Sequence, residues 1–396
     1  MPSLLFVDAH GISLLRQLIP AIQVSSETFD FHDFVVNNNL NNSVFDALNT
    51  CWQPLPRSSF SRFHLRINVE DPRKQPLILE AGFLSYNNII LTERNPANQH
   101  LPSLTRLKRR ALPGLFLPGL PVGSIQQAWR QVPGSQRSWR LPRCRNTSGI
   151  VLTSFNNPNW YHWLTLPGLG SLPVSHKADE MLLCDRSISI EAHSVSPLLE
   201  RVGSLAAALF PDSQLIYQHG PILLRQLEAC FIENHTSLVC DPNGLNKLRC
   251  AGRQLISCAH RIVDKDRIYL RRGLNSRRQL DQELRLEHAL HIRGFAIIDA
   301  AALPLELCIS IFASATWVVA PHGAALANLI FATPGTKVLE LLPGSLDIYG
   351  HYALISAALG LHHHIWCGHS NSSGGFEIEQ AQMLSWLDAE ISASLP

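Results

Sequence analysis

The chain has 396 residues, of which 46% are apolar and 16% are charged, and its formal net charge is +2. This length predicts two domains with sizeable cores, and the apolar fraction excludes a disordered chain. The small net charge argues against a dedicated nucleic-acid binder, which would be far more basic. We therefore expect a globular protein without a nucleic-acid partner.

The cysteines and the first residues bear on the compartment. Nine cysteines are scattered without a C-x-x-C pair, which favours buried thiols and a reducing compartment. The N-terminus lacks the order of a signal peptide, because Asp8, His10 and Arg16 interrupt its apolar run. We expect a cytoplasmic protein, and a peripheral contact with the inner membrane surface stays open.

The first 145 residues carry no motif with evident chemistry. A helix is predicted over 12–22, and several short strands between 34 and 92. The segment 96–145 is rich in proline, glycine and arginine, and from 101 onward it has nine basic and no acidic residues. This composition indicates either a solvated surface segment or a loop that contacts anionic lipid or a phosphorylated acceptor.

An aromatic helix start follows a strand predicted over 149–154. Asn159 is a capping signal, and three aromatic residues, beginning with Trp160, surround His162. Aromatic faces beside an ionisable ring suit a sugar. The plainer interpretation is a helix that faces the core, and without other evidence the pattern favours it.

From residue 149 onward, strand and helix patterns alternate. In the clearest part, strands are predicted over 267–270 and 294–299, and helices over 279–292 and 304–315. Alternation at this spacing is typical of parallel strands joined by helices, and therefore of a doubly wound α/β domain.

Arginines are concentrated just after the strand 267–270. Arg271, Arg272, Arg277 and Arg278 lie within eight residues. A guanidinium at the C-terminal end of a strand can fork onto phosphate oxygens. A solvated basic loop is the alternative, and the density of arginines favours phosphate binding.

The strongest pattern lies between residues 316 and 343. It consists of a buried strand, a turn, a short helix and a second buried strand: 317–320, His322-Gly323, 324–331 and 337–342. A strand that turns at a glycine into a helix presents backbone N–H groups and the positive end of a helix dipole, which together form a phosphate site. Glu340 is expected to accept from sugar hydroxyls, as acidic residues do at strand ends in such sheets.

Three consecutive histidines follow at 362–364. They do not predict a metal site, because alternate side chains on a strand point to opposite faces. We expect no metal ion and no other cofactor.

Together these segments resemble glycosyltransferase family 61. The resemblance rests on the segment from His322 through Gly323, Ala324 and Asn328 to Phe331, the turn Pro334-Gly335 and the ending Glu340-Leu341-Leu342-Pro343. It extends to Arg272, to the pair Arg277-Arg278, and to Asn159 with His162. The sequence departs from the family pattern at Ala325, where glycine is usual, and at 165–167, where an acidic residue is frequent.

The resemblance implies a GT-B architecture, in which two Rossmann-like doubly wound domains face a cleft, here with an irregular, β-containing N-terminal part. We expect an acceptor-side domain over 1–210 and a nucleotide-sugar-binding domain over 211–396. The implied reaction is inverting transfer from a nucleotide-sugar donor to a glycan or lipid-linked acceptor, as in bacterial capsular and surface polysaccharide biosynthesis. A catalytically inactive nucleotide-sugar- or glycan-binding protein and a nucleotide-sugar hydrolase or epimerase are the alternatives.

The resemblance also implies residue roles. His162 is the expected catalytic base, and Asn159 and Trp160 are expected on the acceptor side. The expected donor-binding residues are Arg272, Arg277, Arg278, His322, Gly323, Ala324, Asn328 and Glu340.

Overall fold

The computed structural model describes part of the chain. The described residues are 4–5, 22–30, 59–68, 77–81, 90–93, 144–153, 159–165, 169, 179–184, 195–218, 220–233, 242–256, 266–272, 278–344, 351–372 and 374–393. Nearly all of the basic segment 96–145 and Arg277 lie outside them. The predicted helix over 12–22 also lies outside them except for Ile22, which begins a strand instead.

The described residues fall into two compact units. The first holds the described residues up to Lys247, and the second holds those from Leu248 to the end. The predicted boundary after residue 210 stays a prediction.

The first unit is built on a mixed sheet. Its described strands are β1 (Leu4–Leu5), β2 (Ile22–Asp30), β3 (Ser59–Asn68), β4 (Leu77–Ala81), β5 (Ile90–Glu93), β6 (Cys144–Thr153), β7 (Glu180–Cys184), β8 (Gln214–Gln218) and β9 (Gly220–Glu233). Their order is β1-β5-β4-β9-β6-β7-β8, with β3 also paired to β9 and β2 paired to β3. The four strands β9, β6, β7 and β8 are mutually parallel, and the remaining pairs are antiparallel.

Two α-helices lie wholly within the described part of this unit. Helix α1 spans Trp160–Leu164 and helix α2 spans Pro197–Leu209. In α2 the Ser196 side chain accepts from the N–H of Leu199, and a proline occupies the first turn, as a helix start favours. The apolar face of α2 is buried through Leu199, Val202 and Leu205, which is the helical spacing expected of a core-facing stripe.

The second unit contains a six-stranded sheet among the described residues. Its strands are β10 (Arg267–Leu270), β11 (Ala296–Ile298), β12 (Trp317–Pro321), β13 (Lys337–Pro343), β14 (His362–Ser370) and β15 (Phe376–Glu377). Its helices are α3 (Pro242–Gln254, which begins just before the unit), α4 (Glu283–Ile292), α5 (Leu305–Ser314), a 3₁₀ helix (Ala324–Phe331), α6 (His351–Leu359) and α7 (Gln380–Ala393). Among the described helices of the protein, none combines the length and the apolar character that a membrane span requires.

The strand order reverses direction between β10 and β12. The order is β11-β10-β12-β13-β14-β15, and all neighbours are parallel except β14 and β15. The chain therefore moves outward from β10 to β11, returns past β10 to β12, and continues to β13 and β14. This is the order of a doubly wound sheet, whose switch point lies between β10 and β12. The predicted α/β class is confirmed.

Both faces of this sheet are covered. One face buries a cluster that includes Tyr269, Val319 and Leu339 from the strands and Leu290 and Leu387 from α4 and α7. On the other face the 3₁₀ helix packs against α5 and α6. Strands covered on both sides are nearly continuous apolar runs, which is why 317–320 carries no polar side chain.

The start of α4 differs from the prediction. The helix predicted from residue 279 begins at Glu283, and Leu280 instead forms a bridge with Phe376 of β15. The N–H of Asp281 donates to the carbonyl of Phe376 (2.8 Å), and the N–H of Phe376 donates to Gln279 (2.9 Å). Because these backbone groups find partners in β15, the helix starts one turn later.

Candidate active site at the strand ends

At the switch point, an arginine that follows one strand packs against a glycine that follows the neighbouring strand. Arg272 lies just past β10, and Gly323 lies just past β12. A Cβ atom placed on Gly323 would lie 2.7 Å from Nη1 of Arg272 and 3.3 Å from its Cζ. The guanidinium therefore occupies the space in which any other residue at 323 would place its side chain.

Arg272 is held at this position by α4. Its backbone N–H donates to Oε1 of Glu283 at 2.9 Å, and the hydroxyl of Tyr269 donates to the same oxygen at 2.9 Å. Burial lowers the pKa of Arg272, and the charge of Arg278 lowers it further. An arginine stays protonated under these conditions, so the site concentrates positive charge in a partly desolvated place, which favours an anionic ligand.

Two neighbouring arginines, Arg271 and Arg278, differ from Arg272 in their contacts and backbone. Arg271 turns to α4, where its Nε donates to Oε1 of Glu287 at 3.0 Å and its Nη2 donates to the other carboxylate oxygen. Arg278 has a backbone φ of 63°, a left-handed conformation that disfavours residues with a Cβ. Such strain often marks functional positions, and here it falls on a cation close enough to depress the pKa of Arg272.

Behind Gly323, a buried carboxylate joins two histidines. Nδ1 of His322 lies 2.5 Å from Oε1 of Glu340, and Nε2 of His363 lies 3.0 Å from Oε2. Nδ1 of His363 lies 2.8 Å from Oγ of Ser356. All four side chains are buried.

The Glu340 carboxyl is ionised in this arrangement. Burial alone would raise its pKa, but the hydrogen bonds and charges of His322 and His363 bring the pKa down to about 2. A carboxylate can only accept hydrogen bonds. His322 therefore donates from Nδ1 and His363 donates from Nε2.

The first turn of α6 closes this region. The ring of Tyr352 lies 5.2 Å from the ring of His322, centroid to centroid, and the ring of His351 lies 6.3 Å from it. Burial and the charge of Glu340 raise the pKa of Tyr352 well above its usual range. Tyr352 therefore keeps its phenolic proton at physiological pH.

Comparison with protein families decides the assignment. The sequence model described as Glycosyltransferase 61 matches residues 129–339, which is more than half of the chain. The chain belongs to glycosyltransferase family 61. No curated protein matches it. Family membership, predicted from the motifs, is confirmed, and it supports a glycosyl-transferring activity.

The family 61 match contains the arginine and the glycine that meet at the switch point, together with His322 and His162. It ends one residue before Glu340. Ser356 and His363 therefore lie beyond the matched segment, and their connection to Glu340 is known from the fold alone.

Two of the predicted donor residues, Asn328 and Glu340, have side-chain partners within this family 61 chain. The Asn328 side chain donates to the carbonyl of Ala325 at 2.8 Å and so braces the 3₁₀ helix that begins at Ala324. Glu340 is fully buried, and a histidine occupies each of its oxygens. In this conformation a sugar hydroxyl has no access to the carboxylate.

The predicted acceptor-side residues also have partners within their own unit. The Asn159 side chain accepts from the N–H of Tyr161 at 2.9 Å and caps α1. The Trp160 ring is 8% exposed, and the guanidinium of Arg201 lies 4.7 Å from its centroid. This aromatic helix faces the core, as the plainer interpretation of the sequence holds.

His162 is neutral at physiological pH. Burial lowers its pKa to about 4, so the imidazole has a lone pair available but is a weak base. The family often has an acidic residue within 165–167. Of these three positions, the structure describes Thr165. It is buried, and its hydroxyl donates to the carbonyl of Tyr161 at 2.7 Å.

Sequence reasoning missed Ser356, His363 and Tyr352 as parts of the site. The available signal was strand alternation, which separates His363 from its exposed neighbour His362 and turns it into the protein. The missing information was the pairing of β13 with β14, which sets Val338 opposite His363 and so brings Glu340 within reach. Within the residues described, no group of side chains is arranged to hold a metal ion.

Proposed function

We propose that the chain is an inverting glycosyltransferase that moves a sugar from a nucleotide-sugar donor to a glycan or a lipid-linked acceptor. The observation that carries this proposal is the Arg272 guanidinium against Gly323 at the strand-order switch point. Ligands of doubly wound sheets bind outside the carboxyl ends of the strands at this switch point. A half-buried cation at that place suits the diphosphate of an activated sugar.

The donor half of the reaction follows from charge. As the bond between the anomeric carbon and the diphosphate breaks, its electron pair passes to the leaving nucleoside diphosphate. Arg272 and Arg278, with Arg277 in the segment between them, would stabilise this charge. The ring of His322, whose Nδ1 is engaged by Glu340, would contact the diphosphate through Nε2. Because arginines and a helix end carry this role, the proposal requires no metal ion.

The acceptor half is assigned to the first unit in a GT-B arrangement. A base removes the proton of the acceptor hydroxyl while its oxygen attacks the anomeric carbon from the side opposite the diphosphate, which inverts the configuration. His162 remains our candidate because its low pKa keeps it deprotonated. We place the reaction in the cytoplasm, at the inner membrane surface where the acceptor is lipid-linked, in surface polysaccharide biosynthesis.

A binding protein without catalysis is the second candidate. The observation that favours it concerns Thr165, which stands where the family often has an acidic residue after His162. Thr165 carries no charge, and its hydroxyl donates to a backbone carbonyl. Such a protein would retain the diphosphate site and lack an effective base.

Release of nucleoside diphosphate from a panel of UDP-, GDP- and CDP-sugars separates these candidates. Acceptor-dependent release supports transfer, and acceptor-independent release indicates a hydrolase. Binding by calorimetry without release indicates the inactive form, and absence of binding to every donor contradicts the proposal. Repeating the assay with EDTA tests the expected independence of metal, and His162→Ala with full turnover would exclude His162 as the base.

A further inference from the structure

Four buried side chains form one continuous hydrogen-bonded chain behind the glycine turn. It runs from His322 through Glu340 and His363 to Ser356, with contacts of 2.5, 3.0 and 2.8 Å. The members come from the end of β12, from β13, from β14 and from α6. The chain thus connects side chains of β13, β14 and α6 to the histidine that follows β12.

The ionised carboxylate determines which group donates in each hydrogen bond of the chain. Glu340 accepts from both histidines, because an ionised carboxylate has no proton to donate. With Nε2 of His363 committed as a donor, its Nδ1 accepts from the hydroxyl of Ser356 when the ring is neutral and donates to it when the ring is charged. Each link fixes the ring orientation of the next, as an orienting carboxylate does for a histidine in other buried sites.

Burying the Glu340 carboxylate costs free energy of folding. A carboxylate that is removed from water loses its hydration and must be compensated by good donors. Glu340 is fully buried, and an apolar side chain at this position would avoid that loss. The carboxylate is compensated by hydrogen bonds from His322 and His363, and of these two histidines His322 directly precedes Gly323.

We propose that His363 and Ser356 are positioning residues, which hold the Glu340 carboxylate so that His322 donates from Nδ1 to Glu340 and, as an imidazolium stabilised by that carboxylate, donates from Nε2 to the diphosphate of the donor. The part that concerns the diphosphate rests on the function proposed above. The part that concerns the proton does not, because it is a property of the protein alone.

Nuclear magnetic resonance tests the second part. In protein labelled with ¹⁵N-histidine, the His322 ring signals are identified by their loss in His322→Gln. We expect a protonated Nδ1 in the native protein. Glu340→Leu removes the acceptor of both histidines, and we expect the Nδ1–H signal of His322 to shift or to be lost. A native His322 without a proton on Nδ1, or unchanged His322 ring signals in folded Glu340→Leu, would overturn the proposal.

Steady-state kinetics with a conservative pair test the role of His363. His363→Leu removes the donor to Glu340, and we expect kcat to fall by about 10-fold or more, while KM stays within about threefold, because the charge on the diphosphate develops in the transition state. His363→Gln retains an N–H donor and should recover most of kcat. His362→Leu, at the exposed neighbour on the same strand, is the matched control with native kinetics.

Two outcomes separate this proposal from the function on which it rests. If the native protein releases diphosphate and folded His363→Leu keeps native kcat, the positioning role is wrong while the transferase proposal stands. If no donor is bound, the transferase proposal fails, and the His322 signals still decide the hydrogen-bonded chain. Should His363→Leu not fold, Ser356→Ala serves instead, and unchanged His322 ring signals in that variant would overturn the role of Ser356.

Discussion

The strand ends of the second unit and helix α1 of the first unit present an instructive contrast. The same family resemblance predicts functional residues in both regions. At the strand ends, Arg272 and Gly323 come from different strands and meet. In α1, the side chains of Asn159 and Trp160 are engaged with Tyr161 and Arg201 of their own unit.

The contrast has a geometric cause. The carboxyl ends of parallel strands lie on one edge of a sheet, so residues that follow them meet regardless of their distance in sequence. A short helix with three large aromatic residues must bury them, and Trp163 at its centre is fully buried. Burial of the aromatic rings then also determines the environment of His162. Motifs at strand ends therefore predict a site more securely than aromatic clusters at helix starts.

The largest expected effect tests the strand-end region. Arg272→Ala removes the cation that lies over Gly323, and we expect kcat/KM for the donor to fall by about 100-fold or more, as for the loss of one preorganised donor group. Donor affinity by calorimetry and diphosphate release measure it. Arg285→Ala, at an exposed position of α4, removes the same charge and should leave both unchanged. Native donor binding by Arg272→Ala would place the diphosphate elsewhere.

The next largest effect is the pH dependence of stability, which tests the burial of His162 in α1. Burial holds the pKa of His162 at about 4, below the ordinary histidine value of 6.5. The unfolded chain then binds this proton at higher pH than the folded chain, so stability is lost as pH falls from 6.5 towards 4. Between about pH 7.5 and about pH 5, the free energy of unfolding of His162→Gln should rise by about 2 kcal/mol relative to native protein. Urea unfolding measures this difference, and a pH-independent difference would contradict the burial of His162.

A smaller effect tests the contact between the arginine and the glycine itself. Gly323 has an extended backbone with φ of 174°, so alanine fits the backbone, and its Cβ displaces the Arg272 guanidinium. We expect Gly323→Ala to weaken donor binding by about 10-fold, and to have little further effect in the Arg272→Ala protein, since the two residues act through one contact. Additive losses in this double-mutant cycle would show that they act independently.

The smallest effect concerns the backbone at Arg278. Its left-handed φ of 63° is easy for glycine and costs other residues about 1 kcal/mol or more. The free energy of unfolding of Arg278→Gly, measured with urea, should therefore exceed that of Arg278→Ala by about 1 kcal/mol. Both variants should lose the same donor affinity. Equal stabilities would mean that the backbone at this position is relaxed.

Several elements of the second unit were predictable because their patterns are local. The strand at 267–270 was placed with its observed bounds, and the strand after Thr316 was placed to within one residue. The start of α4 was not predictable, because residues 279–281 pair with Phe376 of β15, nearly 100 positions later in the chain. The expected role of Glu340 at sugar hydroxyls stays a prediction, and its two histidine partners were not predictable because they come from other strands.

The amino-acid sequence by itself determined the family, the α/β alternation and the position of the glycine turn, because each depends on residues close together in the chain. Only the tertiary structure decided which side chains meet. Strand order placed an arginine over the glycine, and strand register placed a buried carboxylate between two histidines. Pairing of distant strands depends on the packing of the whole sheet, which no short segment encodes.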